Sequence, residues 1–377
     1  GRRGTAYELL ISEIRKHINT EKQIVLLSAV LSNAEQIKQW LFNENGTLAS
    51  DPAIKTTPKS IGFSSQTRDI HYYSEDPERE DFYVPRSIEV NLLKKLGKER
   101  KKRYFPKLTD PKDIAIYYAN KLCKNGGAAI FANRTRSVQT IIQQIIDLDS
   151  REYDLSGIQK YSNTLEMSRI AKLMADYYGC DHPYTKACNL GVAPHYSNLP
   201  NGLRLAIEYA FRKKELHLVI CTSTLAQGVN IPIKYLFMTS FMLDQNSMKI
   251  RNFQNLMGRT ARSGMYTEGS VIVTDSKLFD NKNNRRNGGF YKWENCVKMF
   301  DSHAAEPCES SILWLVQDIE INHDDHVKGV YGVYIANYII NNYSHWDCFE
   351  SCYEKILQAY ERKKQTPMNQ KSVAVLK

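Results

Sequence analysis

Between residues 110 and 275 the chain alternates short apolar runs with longer segments that carry apolar residues at helical spacing. Short apolar runs bounded by turn residues are typical of buried strands, and strands that alternate with helices form a parallel sheet covered by helices. The pattern predicts strands at 127–132, 191–195, 216–221, 235–239 and 269–274, and helices at 110–123, 135–148, 201–215 and 249–262. The predicted fold class is α/β, with a parallel sheet that has helices on both faces. Ligands of such sheets bind at the carboxyl ends of the strands.

The rest of the chain is less regular. Residues 43–110 and 149–190 are predicted to be largely irregular, and a polar loop at 280–289 marks a domain boundary. Before the sheet, the pattern predicts a helix at 6–19, a buried strand at 23–29 and a second helix that ends near residue 41. After residue 290, helical runs at 310–321, 329–342 and 349–363 predict a mainly helical module.

The charge of the chain indicates the kind of partner that it binds. The chain has 51 Lys plus Arg against 41 Asp plus Glu, a net charge of +10, which favours a polyanionic partner. Seven of the ten residues at 94–103 (KKLGKERKKR) are basic; a solvated face or linker is the favoured interpretation, and a phosphate-contacting patch is the alternative. No apolar run has the roughly 18–20 residues that a membrane span needs.

Eight cysteines are scattered over the chain. Cys180, His182 and Cys188 could form a metal site, as could Cys348 with Cys352, but neither group has the spacing of a structural zinc site. Free thiols are therefore expected, which favours a reducing compartment, the cytoplasm.

The most specific motif is residues 254–264 (QNLMGRTARSG), which fit the pattern Q-x-x-G-R-x-x-R. In a helix over 249–262, Arg259 and Arg262 would share one face because they are three residues apart. Two guanidinium groups on one face can hold phosphate oxygens and stabilise the charge that develops during phosphoryl transfer. The alternative is an exposed helix with two solvated arginines.

A second motif is residues 221–232 (CTSTLAQGVNIP), where a hydroxyl-rich turn follows a predicted strand. Hydroxyl groups and backbone N–H groups at the end of a strand suit phosphate contacts, and Gly228 permits close approach of the backbone. An ordinary strand-to-loop turn would have the same composition.

Together these segments resemble the second RecA-like lobe of a superfamily 2 helicase, most closely the Ski2-like group. Residues 222–232 resemble motif V and 254–262 resemble motif VI, while 128–136 (AAIFANRTR) resemble motif IV. Residues 194–199 (PHYSNL) correspond to a segment that often reads H-H-x-G-L in this family, with Tyr196 and Asn198 as departures. Residues 27–30 (LSAV) resemble motif III, with Val30 in place of Thr.

The resemblance implies ATP and Mg²⁺ as cofactors, and it assigns a role to each matching residue. It implies catalytic roles for Arg259, Arg262 and Gln254; nucleotide contacts by Gly228, Asn230 and Gly258; and nucleic-acid contacts by Thr222, Ser223, Asn133, Arg134 and His195. His195 could equally be a structural histidine. No metal ligand is expected in this chain.

The chain contains no G-x-x-x-x-G-K-[ST] segment and no Asp-Glu dipeptide. We therefore expect a fragment that begins after motif II and is inactive alone, with the Mg²⁺ ligands in a preceding lobe. The predicted domains are the end of a first RecA-like lobe at 1–75, a basic linker or insertion at 76–110, the second RecA-like lobe at 111–283, and a mainly helical module at 284–377 that could begin a winged-helix region.

The resulting hypothesis is an ATP-dependent helicase or translocase with 3′-to-5′ polarity, the polarity being implied by the resemblance alone. The alternative is a nucleic-acid-binding or partner-docking module without its own ATPase activity. The irregular insertions and the aromatic C-terminal module suggest a bacterial antiviral defence helicase of the Hachiman type, with an effector or nuclease as protein partner. For the same reason DNA is preferred over RNA as the nucleic acid.

Overall fold

A computed structural model of the chain describes residues 2–16, 25–26, 33–42, 46–49, 57–74, 82–226, 231, 233–243, 246–261, 266–301, 307–308, 310, 319–320 and 326–327. The chain divides into two compact units. The first comprises residues 1–27, 33–48 and 307–377, and the second comprises residues 28–32 and 49–306.

The described helices and strands are numbered in chain order. The helices are α1 (Arg2–Lys16), α2 (Ala34–Phe42), α3 (Pro111–Leu122), α4 (Thr135–Ser150), α5 (Ser156–Gln159), α6 (Thr164–Tyr178), α7 (Pro183–Asn189), α8 (Asn201–Arg212), α9 (Ile250–Met257), α10 (Ser276–Asp280) and α11 (Gly289–Lys298). The strands are β1 (Lys59–Ser64), β2 (Ile70–Tyr72), β3 (Tyr83–Val84), β4 (Asn91–Leu92), β5 (Tyr104–Phe105), β6 (Ala128–Phe131), β7 (Val192–His195), β8 (Leu218–Cys221), β9 (Tyr235–Met238), β10 (Met242–Leu243), β11 (Asn246–Ser247), β12 (Gly269–Val273), β13 (Ile319–Glu320) and β14 (His326–Val327).

An eight-stranded sheet forms the centre of the second unit. Its order is β3-β2-β1-β12-β9-β6-β8-β7. The six strands from β1 to β7 in this order are parallel, and β2 and β3 extend one edge in antiparallel orientation. The predicted α/β class with a mostly parallel sheet flanked by helices is confirmed.

The parallel strands are buried on both faces because the helices that connect them cover the sheet. Every residue of β6, β7, β8 and β9 is buried, as expected for apolar runs that have helices above and below. In α4, Val138, Ile141, Ile142 and Ile145 form one apolar stripe and are fully buried, while the opposite face carries polar side chains. The helix predicted at 135–148 is therefore confirmed.

The domain boundaries predicted from sequence need correction at both ends of the sheet. Residues 59–64 were assigned to a first lobe, but β1 pairs with β12 in the central sheet. Residues 289–298 were assigned to a separate helical module, but α11 packs on this sheet, and the rings of Phe63 and Trp293 lie 4.7 Å apart. Both segments belong to the second compact unit.

The segment 149–190, predicted to be irregular, contains α5, α6 and α7. In α6 the side chain of Asn163 caps the helix by accepting hydrogen bonds from the N–H groups of Leu165 and Glu166. Met167 and Ile170 lie on the buried face of this helix. The segment Asn163-Thr-Leu-Glu166 followed by apolar residues is a helix-start signal that the sequence analysis missed.

In the first unit, the structure describes α1 and α2 near their predicted positions. Of the predicted strand at 23–29, the structure describes Val25 and Leu26, which are exposed and form no strand. A buried strand needs neighbours on both sides, and the described residues of this unit form only the two-stranded pair β13–β14. The prediction of a helix at 310–321 is wrong for Ile319 and Glu320, which form β13. The helices predicted at 329–342 and 349–363 lie outside the described residues.

The described cysteines are free thiols. Cys123, Cys188, Cys221 and Cys296 are buried, and Cys180 and Cys308 are exposed. Burial raises the pKa of each of the four buried thiols, so these thiols stay protonated at neutral pH. Cys348 and Cys352 lie outside the described residues. In the part of the chain that the structure describes, no helix has the length and apolar character to cross a bilayer.

Candidate functional site

The carboxyl ends of three adjacent strands bring together the residues that were predicted to contact nucleic acid. Phe131 of β6 pairs with Cys221 of β8, which pairs in turn with His195 of β7. The three strands therefore end at the same level. Because neighbouring strands lie about 4.8 Å apart, the loops that follow lie within about 10 Å of one another. We call this row of loops the sheet edge; it comprises residues 132–134, 196–198 and 222–223.

The loop after β6 has the character of an anion site. Arg134 is exposed and directly precedes α4, and Asn133 is held by a hydrogen bond that its side-chain oxygen accepts from the hydroxyl of Ser137 (3.0 Å). The first turn of α4 contains no acidic residue. The positive end of the helix dipole and the backbone N–H groups of that turn therefore favour an anion.

Arg136 is a further cation at this position, and it was not among the predicted site residues. It is exposed in the first turn of α4, two residues after Arg134. Its signal was present in the sequence, because the segment 128–136 and a helix predicted to begin at residue 135 place both arginines at the helix start, as the structure shows.

The loop after β8 contributes hydroxyl groups. The N–H of Thr222 donates to the carbonyl of His195 (3.1 Å), and its carbonyl accepts from the N–H of Leu225 (3.1 Å). Thr222 is buried, whereas Ser223 is half-buried at the start of a short 3₁₀ turn. Of the two predicted contacts, Ser223 is thus the more accessible to a ligand. Gly228 and Asn230 lie outside the described residues.

His195 does not lie at the surface of the sheet edge. Its ring is fully buried, and Nε2 forms a 2.9 Å hydrogen bond with Oε1 of Glu208. Burial is the main cause that lowers its pKa, and Glu208 partly opposes this effect. This placement favours the structural alternative over direct contact with nucleic acid.

Because His195 is buried, we expect the free energy of unfolding to depend on pH. The folded state disfavours the charged imidazole, so the unfolded chain binds a proton at higher pH than the folded chain does. The free energy of unfolding should therefore fall as the pH decreases below about 6.5. In His195→Gln this decrease should be smaller, as measured by urea denaturation at about pH 7.5 and 5.5. An unchanged pH dependence in His195→Gln would contradict the assignment.

Hydroxyl groups form hydrogen bonds between the carboxyl ends of the other strands of the sheet. In each case a Ser or Thr at a strand end donates to the last carbonyl of the neighbouring strand. The pairs are Ser64 to Val273 (2.9 Å), Thr274 to Met238 (3.1 Å) and Thr239 to Phe131 (2.7 Å). The carbonyls of Met238 and Phe131 also accept the backbone N–H groups of Thr274 and Thr239, so the hydroxyl bonds add to the backbone pairing that ties adjacent strand ends together.

The segment that resembles motif VI departs from its predicted helix. The helix α9 ends at Met257, so Arg259 and the following residues are not helical as predicted for 249–262. The N–H groups of Arg259 and Thr260 donate to carbonyls three residues earlier, and Ala261 has a positive φ of 56°. This turn lets the N–H of Ala261 donate to the carbonyl of Ile233 (2.8 Å), beside the amino end of β9. Arg262 lies outside the described residues.

The side chains of this segment differ in exposure. Arg259 is half-buried and Gly258 is exposed, so a guanidinium and an accessible backbone lie together at this turn. Gln254 is buried, and its Nε2 donates to the carbonyl of Asp301 (2.6 Å). In this arrangement Gln254 links α9 to the residues after α11. The cationic donor of Arg259 fits a phosphate group, whereas the amide of Gln254 is engaged within the protein.

The turn at Arg259 lies towards the opposite end of the strands from the sheet edge, although α9 itself packs against the 3₁₀ turn Ser223–Ala226. Thr239 is at the carboxyl end of β9, and Ile233, which bridges to Thr260, precedes its amino end. Six residues separate them along an extended chain, a distance of about 20 Å. The sheet edge and the turn at Arg259 are therefore two separate sites. Among the described residues, no group of three or more His, Cys, Asp or Glu is arranged to hold a metal ion.

Comparisons with known proteins agree with the motifs. The family described as "Helicase conserved C-terminal domain" matches residues 158–264. The Hachiman protein HamB of Bacillus cereus is 27% identical over 271 residues, covering 70% of this chain and 24% of HamB. The ATP-dependent DNA helicase Hel308 of Methanocella arvoryzae is 23% identical over 283 residues, covering 72% of this chain and 32% of Hel308.

The human helicase POLQ-like protein is 24% identical over 279 residues, covering 74% of this chain and 23% of that protein. The chain thus spans between about a quarter and a third of the length of these relatives. The chain is thus similar to Ski2-like superfamily 2 helicases, and residues 158–264 match the helicase conserved C-terminal domain.

Proposed function

We propose that this chain supplies the second RecA-like lobe of an ATP-dependent nucleic-acid helicase or translocase. The observation that carries the proposal is the sheet edge, where Asn133, Arg134 and Ser223 follow the ends of adjacent strands beside the start of α4. Cations, hydroxyl groups and a helix amino terminus are the groups that contact a nucleic-acid backbone. The net charge of +10 supports a polyanionic ligand.

The proposed ATP contacts of this chain lie at the turn after α9. Arg259 would hold phosphate oxygens from this lobe, with Gly258 offering its backbone, and Arg262, Gly228 and Asn230 would complete the set. Bound ATP with Mg²⁺ would supply a phosphoryl group for hydrolysis. The Mg²⁺ ligands and the P-loop would come from a lobe that the printed sequence does not contain. We propose that Gln254 positions the turn through its bond to Asp301.

The alternative is a module that binds nucleic acid or a protein partner without ATPase activity of its own. The missing G-x-x-x-x-G-K-[ST] segment favours this behaviour for the 377-residue chain on its own. The two alternatives are distinguished by an ATPase assay on the chain alone and on a polypeptide in which a P-loop lobe precedes it. We expect nucleic-acid-stimulated hydrolysis in the second case and none in the first.

The biological context is also a proposal. Similarity to the Hachiman protein HamB supports a role in an antiviral defence system with an effector or nuclease as partner. The names of Hel308 and its relatives support DNA over RNA as the nucleic acid, and 3′-to-5′ polarity follows from the same resemblance. Affinity for matched DNA and RNA strands, and unwinding of substrates with a 3′ or a 5′ overhang, would test these points.

Substitution of Arg134 tests the sheet edge. In Arg134→Ala the affinity for a single strand should fall by about tenfold, with similar losses for unrelated sequences, and the slope of log K against log salt should decrease by about 0.7 to 0.9. Fluorescence anisotropy over a range of salt concentrations measures both quantities. Arg169→Ala, which removes an exposed arginine from α6, is the matched control. Equal behaviour of the two variants would refute the sheet edge as the contact.

A further inference from the structure

A second basic surface lies outside the sheet edge. The strands β4 and β5 form a hairpin, and the N–H of Leu93 donates to the carbonyl of Arg103 (2.9 Å) at the base of its loop. We call residues 93–103 the basic hairpin. Five of its cations are exposed and form no ion pair with a residue that the structure describes: Lys95, Lys98, Arg100, Lys101 and Lys102.

A buried arginine fixes the position of the basic hairpin. Arg151, at the end of α4, is 3% exposed and donates two 2.8 Å hydrogen bonds to the carboxylate of Glu99. It also donates to the carbonyl of Lys94 (2.9 Å) and to the carboxylate of Asp147 (2.8 Å). The buried guanidinium of Arg151 thereby neutralises Glu99, the single acidic side chain of the hairpin, so Glu99 does not offset the charge of the exposed cations.

The tip of the hairpin is also ordered. The N–H of Glu99 donates to the carbonyl of Leu96 (3.2 Å), and Gly97 between them has a φ of 53°, which favours glycine. The ammonium group of Lys95 donates to the carbonyl of Arg100 (3.2 Å) across the tip. The cations are therefore presented on a fixed backbone, which lowers the entropy cost of binding compared with a flexible charged linker.

Two adjoining grooves run from Arg136, two residues beyond the sheet edge, to the base of the basic hairpin. The first, of about 690 Å³, begins at Arg136 and follows Gln139 and Gln143 along the exposed face of α4 to Arg103. The second, of about 650 Å³, shares Arg103 and continues along the hairpin to Lys102 and Tyr104. Because the groove follows α4 from Arg136 to Asp147, the path along the helix is about 17 Å long.

The carboxylates in these grooves do not oppose an anionic ligand. Asp147 lies 2.8 Å from Arg151 and 3.7 Å from Arg103, so its charge is balanced. Asp113 is half-buried, and its two oxygens accept hydrogen bonds from the N–H of Lys107 and from the amide of Gln144, so both oxygens are engaged within the protein. The charges that remain accessible along the path are mainly positive.

We infer that the basic hairpin is a second phosphate-contacting surface, and that a nucleic-acid strand bound at the sheet edge continues along α4 to reach it. This inference rests on the proposed function. The exposed ring of Tyr104, 55% accessible at the rim of the second groove, adds a platform on which a base can stack. Cations together with an exposed aromatic ring suit a nucleic-acid strand better than an acidic polypeptide, which offers no bases.

Charge removal with a matched control tests the inference. The hairpin variant carries Lys95→Ser, Lys98→Ser, Lys101→Ser and Lys102→Ser. The control variant carries Lys172→Ser, Lys213→Ser, Lys292→Ser and Lys298→Ser, which are exposed lysines that line neither groove. Both lose the same net charge, so a difference between them cannot come from the overall field of the protein.

The readout is binding of labelled single strands of about 6 and about 20 nucleotides by fluorescence anisotropy. For the longer strand, the hairpin variant should bind at least about tenfold more weakly than the control variant, with a salt slope smaller by about 2 to 3. For the shorter strand, which the sheet edge can hold alone, the two variants should agree within about twofold. Equal affinities of the two variants for the longer strand would overturn the inference and leave the proposed function intact.

Two further measurements separate the remaining outcomes. Gln139→Glu with Gln143→Glu places negative charges on the exposed face of α4 and should weaken binding of the longer strand only; no effect would overturn the path along α4. Polyglutamate tests whether the basic hairpin binds an acidic polypeptide instead. If the hairpin substitutions abolish binding of polyglutamate but leave binding of the longer strand unchanged, the hairpin binds an acidic protein and the inference is wrong. If the unsubstituted chain binds neither strand, the proposed function fails, and this inference fails with it.

Discussion

Arg259→Ala should lower the rate of nucleic-acid-stimulated ATP hydrolysis by about 10³-fold or more, because an arginine that stabilises the transferred phosphoryl group contributes about that much. The affinity for nucleic acid should change by less than about threefold, since the turn at Arg259 lies about 20 Å from the sheet edge along β9. The measurement is an ATPase assay, with and without a single strand, on a polypeptide in which a P-loop lobe precedes this chain. Anisotropy on the same sample gives the affinity.

The controls distinguish a catalytic role from loss of charge. Arg169→Ala removes an exposed arginine from α6 and should leave hydrolysis unchanged. Arg259→Lys keeps the charge but loses the planar fork of donors, so most of the rate should still be lost. Arg262→Ala is a second variant with the same expected loss. Hydrolysis at the original rate in Arg259→Ala would show that Arg259 does not contact the transferred group.

The sequence was sufficient to predict the centre of the sheet and the sheet edge. The runs at 127–132, 216–221 and 235–239 are mainly apolar, which is typical of a strand buried on both faces. Asn133, Arg134, Thr222 and Ser223 follow two of these strands, and the pairing of Phe131 with Cys221 places both loops at the same end of the sheet.

The assignment of β1 could not be predicted in the same way. Its sequence, KSIGFS, alternates Ile61 and Phe63 with small or polar residues, which is a short strand pattern that does not indicate a place in the central sheet. Its partner β12 lies 210 residues later in the chain, as the pairing of Lys59 with Gly269 shows. Local pattern contains no information about so distant a partner, so the boundary of the lobe was misplaced.

The burial and hydrogen bonding of individual polar residues also could not be predicted from the sequence. His195 and Gln254 match motif positions, but both are buried and hydrogen-bonded within the protein. The end of α9 depended on a bridge between Thr260 and Ile233, which replaces the last turn of the predicted helix. Burial and long-range backbone pairing decide these features, and neither follows from residue spacing.

Arg151→Met should lower the free energy of unfolding of the second unit by about 2–3 kcal/mol, because charge-assisted hydrogen bonds are lost and buried partners are left unsatisfied. Arg151 donates four hydrogen bonds, to Glu99, Asp147 and the carbonyl of Lys94. Methionine retains the apolar volume but no donor. Urea denaturation followed by circular dichroism gives the difference. Arg169→Met, whose only described ion pair is an exposed one with Glu166, should change stability by less than about 0.5 kcal/mol.

The pH dependence identifies Glu99 as the partner responsible. The hydrogen bonds from Arg151 hold the pKa of Glu99 at about 2, well below its ordinary value of 4.5. The folded state therefore gains stability above about pH 4.5, and this gain is lost as the pH falls towards 2. The difference between the original chain and Arg151→Met should accordingly shrink between about pH 5 and pH 3; a constant difference would exclude Glu99 as the source. Because Arg151 itself is buried, weaker binding of the longer strand in Arg151→Met would arise from displacement of the basic hairpin and not from loss of a direct phosphate contact.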